Sequence, residues 1–227
     1  MGTSKGYIAP TRIEWTRAKS AVTEMMKHTN SGTIANAASK YASAMKADGF
    51  QSSTFPKAAS GILGLARSIA HNGLETALRD MGREDLIGKS SDEIWNELLQ
   101  YYTNESATKE DSLAIDALSL SLKNLDIDDI EKLGEVPQDT LLKEMLVNFV
   151  KLNFEFRFSE KIGKDRSPAE TKKIMAEMKG YIRSSLYEKL TLQDIANIDF
   201  GHLSGDRYVV EALSEAYTLF ERLYVED

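Results

Sequence analysis

Apolar positions recur at helical spacing along almost the whole chain, and no stretch alternates with a period of two convincingly enough to make a strand. Residues 11–28 place Ile13, Arg17, Ala21 and Met25 on one face, with Val22 and Met26 alongside, which predicts a first helix. His28-Thr29-Asn30-Ser31-Gly32 breaks it. An Ala-rich helix is predicted from Thr33 to Ala47, stopped at Asp48-Gly49, because Ala has the best helix propensity and Gly is the usual terminator. Residues 56–80 carry Ile62, Leu65, Ala66, Ile69 and Ala70, and His71-Asn72-Gly73 interrupts the pattern before Leu74, Ala77, Leu78 and Met81. Gly61 and Gly64 lie inside this helix; a helical Gly is costly unless another backbone comes close, so they predict close helix–helix packing.

Local start signals place the later helices. Ser90 and Glu93 have the spacing of a capping box ahead of Ile94, Leu98 and Tyr101. A helix over 108–124 turns Leu113, Ala117, Leu120 and Leu125 inward, and a short acidic piece runs from Leu125 to Leu133, ending at Gly134. The most hydrophobic segment, 138–160, carries Leu141, Leu142, Met145, Leu146, Phe149, Val150, Phe154 and Phe158. Phe154, Phe156 and Phe158 also alternate as in a strand, but the unbroken i+4 series Leu146, Val150, Phe154, Phe158 keeps the segment helical. Ser167-Pro168-Ala169-Glu170 combines a cap, a Pro at the first helical position and a Glu at the third, opening a helix to Lys189. A last helix over 206–224 buries Val209, Leu213, Ala216, Leu219, Phe220 and Leu223. The expected class is mainly α, an irregular multi-helix bundle with a flexible N-terminal arm (1–10), a helical N-terminal region (11–55) attached more loosely, and a helical core domain (56–227).

Composition narrows the function more than the fold. The chain of 227 residues has no cysteine, which removes disulfides, thiol catalysis and thiolate zinc sites. The formal net charge of -7 is unevenly spread: residues 1–80 carry 10 Lys+Arg against 5 Asp+Glu, and the remainder 18 against 30. This bias is too small for the dense basic stripe of a DNA-binding domain and reads as solvated helix faces. No secretory h-region, membrane span or complete myristoylation signal is expected, the last because Gly6 stands where Ser or Thr is needed. A cytoplasmic location follows as the default.

Candidate chemistry is sparse. Gly82 to Ser90 imitates a phosphate loop but has five residues between its glycines instead of four, and helical sequence precedes it. His28, His71 and His202 are far apart and outside metal-ligand spacing. The turn Asp199-Phe200-Gly201-His202-Leu203-Ser204-Gly205-Asp206 gathers two carboxylates and an imidazole, and is read as a connection in which Asp206 or a neighbour caps the last helix. The adjacent acids Asp128 and Asp129 read as a solvated turn, the phenylalanines of 149–158 as core, and Trp15 and Trp95 as either core or interface. No nucleophile elbow is present, and no catalytic residue, metal or cofactor is expected. Gly2 is the one chemically suggestive position: its small side chain favours removal of the initiator Met, leaving an unhindered α-amine with a pKa of about 7.7–8, so that a useful neutral fraction is open to acylation.

The chain resembles QatB, the B subunit of the bacterial Qat anti-phage defence system. The resemblance rests on Met1-Gly2-Thr3-Ser4, Ala37-Ala38-Ser39-Lys40-Tyr41, Leu63-Gly64 through Leu74-Glu75-Thr76-Ala77-Leu78, and Leu86-Ile87-Gly88-Lys89-Ser90 with Ile94. Phe156-Arg157 through Ile162-Gly163 and Tyr181-Ile182-Arg183-Ser184-Ser185-Leu186 complete it, and together they cover most of residues 1–190. None of these motifs is catalytic; their order carries the likeness. Family members have a longer Gly/Pro-rich acidic linker after the starting Met-Gly-Thr-Ser, whereas this chain enters a helix almost at once.

The resemblance implies a non-enzymatic component of a multi-protein system whose companions are an ATPase, a TatD-like nuclease and a QueC-like enzyme (QatC), similar to the 7-cyano-7-deazaguanine synthase of queuosine biosynthesis. It implies that this last partner recognises the arm residues Thr3, Ser4, Lys5 and Gly6 and attaches a deazaguanine to the amine of Gly2. The alternatives are a helical scaffold without modification, or a nucleic-acid sensor using the basic front third, with Lys5, Arg12, Arg17 and Lys19 as the contacts.

Overall fold

The computed structural model describes residues 12–49, 54–102, 108–193, 195–200 and 203–224. The N-terminal arm, with Gly2, Thr3, Ser4, Lys5 and Gly6, lies outside the described residues, as do Gly201 and His202. Among the described residues the chain forms nine α-helices, three short 3-10 segments and no strand. The helices are α1 (Ile13–Lys27), α2 (Ser31–Ala47), α3 (Thr54–Asn72), α4 (Leu74–Asp80), α5 (Ser91–Tyr102), α6 (Lys109–Asn124), α7 (Gln138–Gly163), α8 (Pro168–Lys189) and α9 (Leu203–Leu223).

Their boundaries follow from local chemistry. Asn30 and Thr33 exchange side-chain-to-backbone bonds that open α2 two residues earlier than Ala content suggested. Ser90 and Glu93 cap α5 reciprocally, Thr108 and Asp111 cap α6, and Ser167 and Glu170 cap α8 with Pro168 in its first turn. Gly73, at φ +76°, adopts the left-handed conformation that separates α3 from α4.

The long apolar helix α7 is the centre of the bundle. It packs against α6 and α8 along its length and meets α1 and α3. All eight apolar residues predicted to be buried in α7 are buried. The front helices are integral to the same core rather than loosely attached. Trp15 of α1 and Tyr41 of α2 are fully enclosed, with Tyr41 edge-on to Phe154 of α7 at 5.3 Å and to Tyr217 of α9 at 5.8 Å. The Tyr41 hydroxyl donates to the Val150 carbonyl at 3.3 Å and lies 3.4 Å from the Tyr217 hydroxyl. Each large side chain enclosed in this way contributes roughly 1.5–3 kcal/mol, which outweighs any loose docking of the pair.

Two predicted faces are rotated. In α1 the buried stripe is Trp15, Ala18, Ala21, Val22 and Met25, while Ile13 is 58% exposed and Arg17 points to solvent. Indole burial outweighs that of Ile13, and the indole Nε1 donates to Asp48 at 2.7 Å. In α6 the inward residues are Ala114, Ala117, Leu118, Ser121 and Leu122, with Leu113, Leu120 and Leu125 only half-buried. In α9, Leu219 is half-buried and Leu223 is 37% exposed, so the stripe fades toward the C-terminus. No helix among the described residues is long and apolar enough to cross a membrane.

Candidate functional site

The N-terminal arm enters the folded body at a defined root. Arg12 donates from Nη1 to the Ala47 carbonyl at 2.6 Å, and its Nε lies 3.5 Å from the Asp48 carboxylate. The other oxygen of Asp48 accepts from the Trp15 indole. Asp48 is nearly enclosed, so one carboxylate at the C-terminus of α2 holds both the start of α1 and its buried tryptophan. Sequence reading took Asp48 only as a helix stop; its link to Trp15 over 33 residues has no local signal.

An open groove of about 980 Å³ runs along α3. Its walls include Lys57, Gly61, Gly64, Arg67 and His71 of α3, Asp80 and Met81 at the end of α4, and Asp199, Phe200 and Asp206 around the turn into α9. Small residues bring the walls together. A Cβ on Gly64 would meet the Phe200 carbonyl oxygen at 3.3 Å, and one on Gly205 would meet the Phe200 Cα at 2.8 Å and crowd Ser60 of α3. The close approach predicted at Gly64 is real, but the neighbour is the turn at Phe200, and Gly205 of α9 supplies the helix–helix contact.

Arg67 pins that turn. Its guanidinium donates to the carbonyls of Ile195 at 3.0 Å and Ile198, and to the Gln138 side chain at 2.5 Å, while it stacks over the Phe200 ring at 5.2 Å. Asp199, Phe200 and Asp206 of the predicted polar turn therefore form one wall of the groove. Helix α9 opens at Leu203, so Asp206 lies within its first turn instead of capping a helix begun at 206. There its charge faces the positive end of the helix dipole. The His71 Nδ1 lies 2.8 Å from the Arg67 carbonyl within its own helix, and no cluster of His, Asp and Glu among the described residues has the geometry to hold a metal ion.

A second polar centre is enclosed between α6, α7 and α8. Glu144 of α7 is fully buried and accepts from Arg183 at 2.9 Å, Asn124 at 2.7 Å, Asn148 at 3.1 Å and the Tyr187 hydroxyl. Burial alone would raise the Glu144 carboxyl, but hydrogen bonds from Arg183, Tyr187 and Asn124 and the charge of Arg183 hold it below the ordinary glutamate value. Burial, reinforced by the Glu144 carboxylate, pushes the Tyr187 hydroxyl up to about 12. Asn148 extends the network to the Ser121 hydroxyl at 3.0 Å. Sequence reading passed over these residues, although Glu144 and Asn148, one turn apart among the leucines of α7, were a visible interruption of its apolar face.

The remaining predicted features are structural. The segment Gly82–Ser90 follows helix α4 and spends its amides on that helix and on itself: Arg83 N donates to Leu78 O at 2.8 Å and Lys89 N to Leu86 O at 3.1 Å. Asp128 pairs with Lys132, and Asp129 accepts from the Glu131 amide and Ser91. Phe149, Phe154 and Phe158 are core residues, Phe156 is half-buried, and Trp95 is buried on α5. Of the basic residues suggested for nucleic acid, Arg12 is committed to Asp48, and Arg17 and Lys19 diverge by about 200° around α1, so they form no single stripe.

Neither the curated proteins nor the solved structures contain a match to this chain. A match does come from the family described as Qat anti-phage system associated protein QatB, over residues 29–220. That span runs from the turn before α2 into α9 and includes α7, the Glu144 centre and every wall of the groove, but not Arg12 and Trp15 of the root. The chain belongs to the QatB family, whose members are components of the Qat anti-phage system.

Proposed function

We propose that this chain is a docking subunit of the Qat system that presents its N-terminal glycine to a QueC-like partner (QatC), which couples a deazaguanine to the Gly2 amine. The observation that carries this reading is the family match over residues 29–220. The root at Arg12 supports it: the arm leaves the body from a fixed point, tied to Ala47 and Asp48, with the glycine amine ten residues away. Removal of the initiator Met exposes that amine. Its neutral form attacks an activated carboxyl carbon of the deazaguanine, an amide forms, the activating group leaves with its electron pair, and the surplus proton passes to solvent. In this reading Thr3, Ser4, Lys5 and Gly6 are what the partner recognises, and the ATPase and TatD-like nuclease act downstream.

Intact mass of the chain co-expressed with the partner and its precursor tests the reading. The expected product carries the deazaguanine acyl mass on a des-Met N-terminus. A mass showing Met loss alone, with partner and precursor demonstrably active, overturns it. Gly2→Pro, whose secondary amine is hindered, is expected to abolish the adduct while leaving the helical fold intact.

A further inference from the structure

The seam between α7 and α8 carries more positive charge than its own carboxylates neutralise. Lys179 of α8 pairs with Glu155 of α7 at 2.6 Å, and Arg183 pairs with the buried Glu144 at 2.9 Å. Lys151 of α7, one turn before Glu155, lies within the field of both cations. It is half-buried and makes no ion pair among the described residues. Its ammonium gives one bond, to the Asn148 side-chain oxygen at 3.3 Å, so two of its three protons find no acceptor among the described residues. Burial, together with the charges of Arg183 and Lys179, pulls the Lys151 amine below the ordinary lysine value in spite of Glu144 and Glu155. A cation held in this way costs stability unless a negative group arrives from outside the chain.

Gly180 is a second sign at the same place. It lies inside α8, next to Lys179 and about one turn before Arg183, and a Cβ there would meet nothing within 4 Å. Glycine is costly inside a helix, and no packing contact requires it here. Its effect is to leave the helix surface beside two cations bare and open to close approach. Arg183 stacks over the Tyr187 ring at 4.6 Å and remains half-exposed, so its guanidinium is held in place and still reachable.

The arrangement selects among anions. A carboxylate offers two oxygens in a plane, whereas a phosphate offers oxygens in three or more directions, which suits donors arriving from Lys151 on one helix and from Lys179 and Arg183 on the other. The three cations occupy about one turn of each helix with Glu155 among them, the footprint of a single phosphate group and not the stripe that a polynucleotide backbone follows. We propose that Lys151, Lys179 and Arg183 form a binding site for the phosphate of a small phosphorylated ligand of the nucleotide class, seated beside Gly180. The site owes nothing to the N-terminal arm and stands or falls apart from the reading of Gly2.

Thermal unfolding and NMR of the full-length chain test this, with inorganic phosphate and ATP as probes at constant ionic strength. The expected result is a saturable shift of the Gly180 amide and Arg183 Nε resonances, and a rise in the thermal midpoint with each probe. Lys151→Met is expected to raise the midpoint without a probe, because it removes an unpaired half-buried charge, and to weaken binding of both probes by about tenfold or more. Lys151→Arg should retain binding, and Lys19→Gln, on α1, should leave it unchanged. Lys179→Gln, at a more accessible position, should weaken binding as well and keeps the test valid if Lys151→Met folds poorly. No saturable response to either probe overturns the proposal. So does acetate binding as tightly as phosphate, or Lys19→Gln weakening binding as much as Lys151→Met. Duplex DNA bound more tightly than ATP through Lys151 overturns the assignment to a small ligand.

Discussion

Glu144 shows how one side chain can tie three helices. A buried carboxylate is tolerated here because Arg183, Asn124, Asn148 and Tyr187 together replace its water. Glu144→Ala is expected to destabilise the fold by about 3 kcal/mol, the low end for a broken buried pair because the half-exposed Arg183 can turn to water. Denaturant unfolding checks it. The carboxyl is held below its unfolded value, so its contribution is complete above about pH 4.3 and disappears as pH falls through the lowered folded value. Glu144→Gln is expected to flatten the acid limb of the stability profile in that range and leave the limb above pH 6 parallel to that of the parent. At Tyr41 only the hydroxyl is at stake: Tyr41→Phe should cost about 1 kcal/mol, since the ring contacts to Phe154 and Tyr217 persist. Residues of this kind are poorly legible in sequence, because their partners lie far away along the chain: 39 residues from Glu144 to Arg183 and 176 from Tyr41 to Tyr217.

Helices were far more legible than the residues that join them. Ser90, Ser167 and Gly73 announce boundaries through chemistry complete within four residues, and the structure places those boundaries where the sequence does. Which face turns inward depends on tertiary competition, and there the reading slipped: Trp15 displaces Ile13 in α1, and a back-bonded Ser121 occupies the interior of α6. Glycines 134 and 205 set how near the elements approach. A Cβ on Gly134 would lie 2.9 Å from the Ala70 backbone nitrogen, so Gly134→Ala must push the 3-10 segment Ile130–Glu135 off α3. Destabilisation of about 1–3 kcal/mol is expected, read as a lower thermal midpoint. Ser167→Ala should cost about 1 kcal/mol by uncapping α8, and Ser167→Asp should restore most of it, which separates a capping effect from a packing effect.

At the scale of the molecule, the uneven charge read from the sequence acquires positions. Among the described residues, Arg12 is paired with Asp48 and Arg17 and Lys19 diverge, so these three cations form no single stripe on α1. Binding to duplex DNA is expected to be weak at physiological salt and unchanged by Arg17→Ala, as measured by fluorescence anisotropy across a salt series. The groove could not be read from sequence, because its walls come from four separated stretches: residues 57–72, residues 77–83, Tyr101, and Asp199, Phe200 and Asp206. Only its turn, Asp199–Asp206, stood out as a polar cluster, and its place opposite α3 depends on Arg67 reaching Ile195 and Ile198 about 130 residues away.

The enclosure of Tyr41 by both Phe154 and Tyr217 also fixes an order of events during synthesis. Helix α2 leaves the ribosome early, yet its burial is incomplete until α9 follows 176 residues later. At about 5–20 residues per second, that interval is roughly 10–35 s, during which the amino terminus is outside and the body is unfinished. Until α9 is made, α2 can pack on α1, but the face it turns to α9 stays uncovered by that helix. Any enzyme that requires the finished body as its docking platform therefore acts only after α9 has joined it.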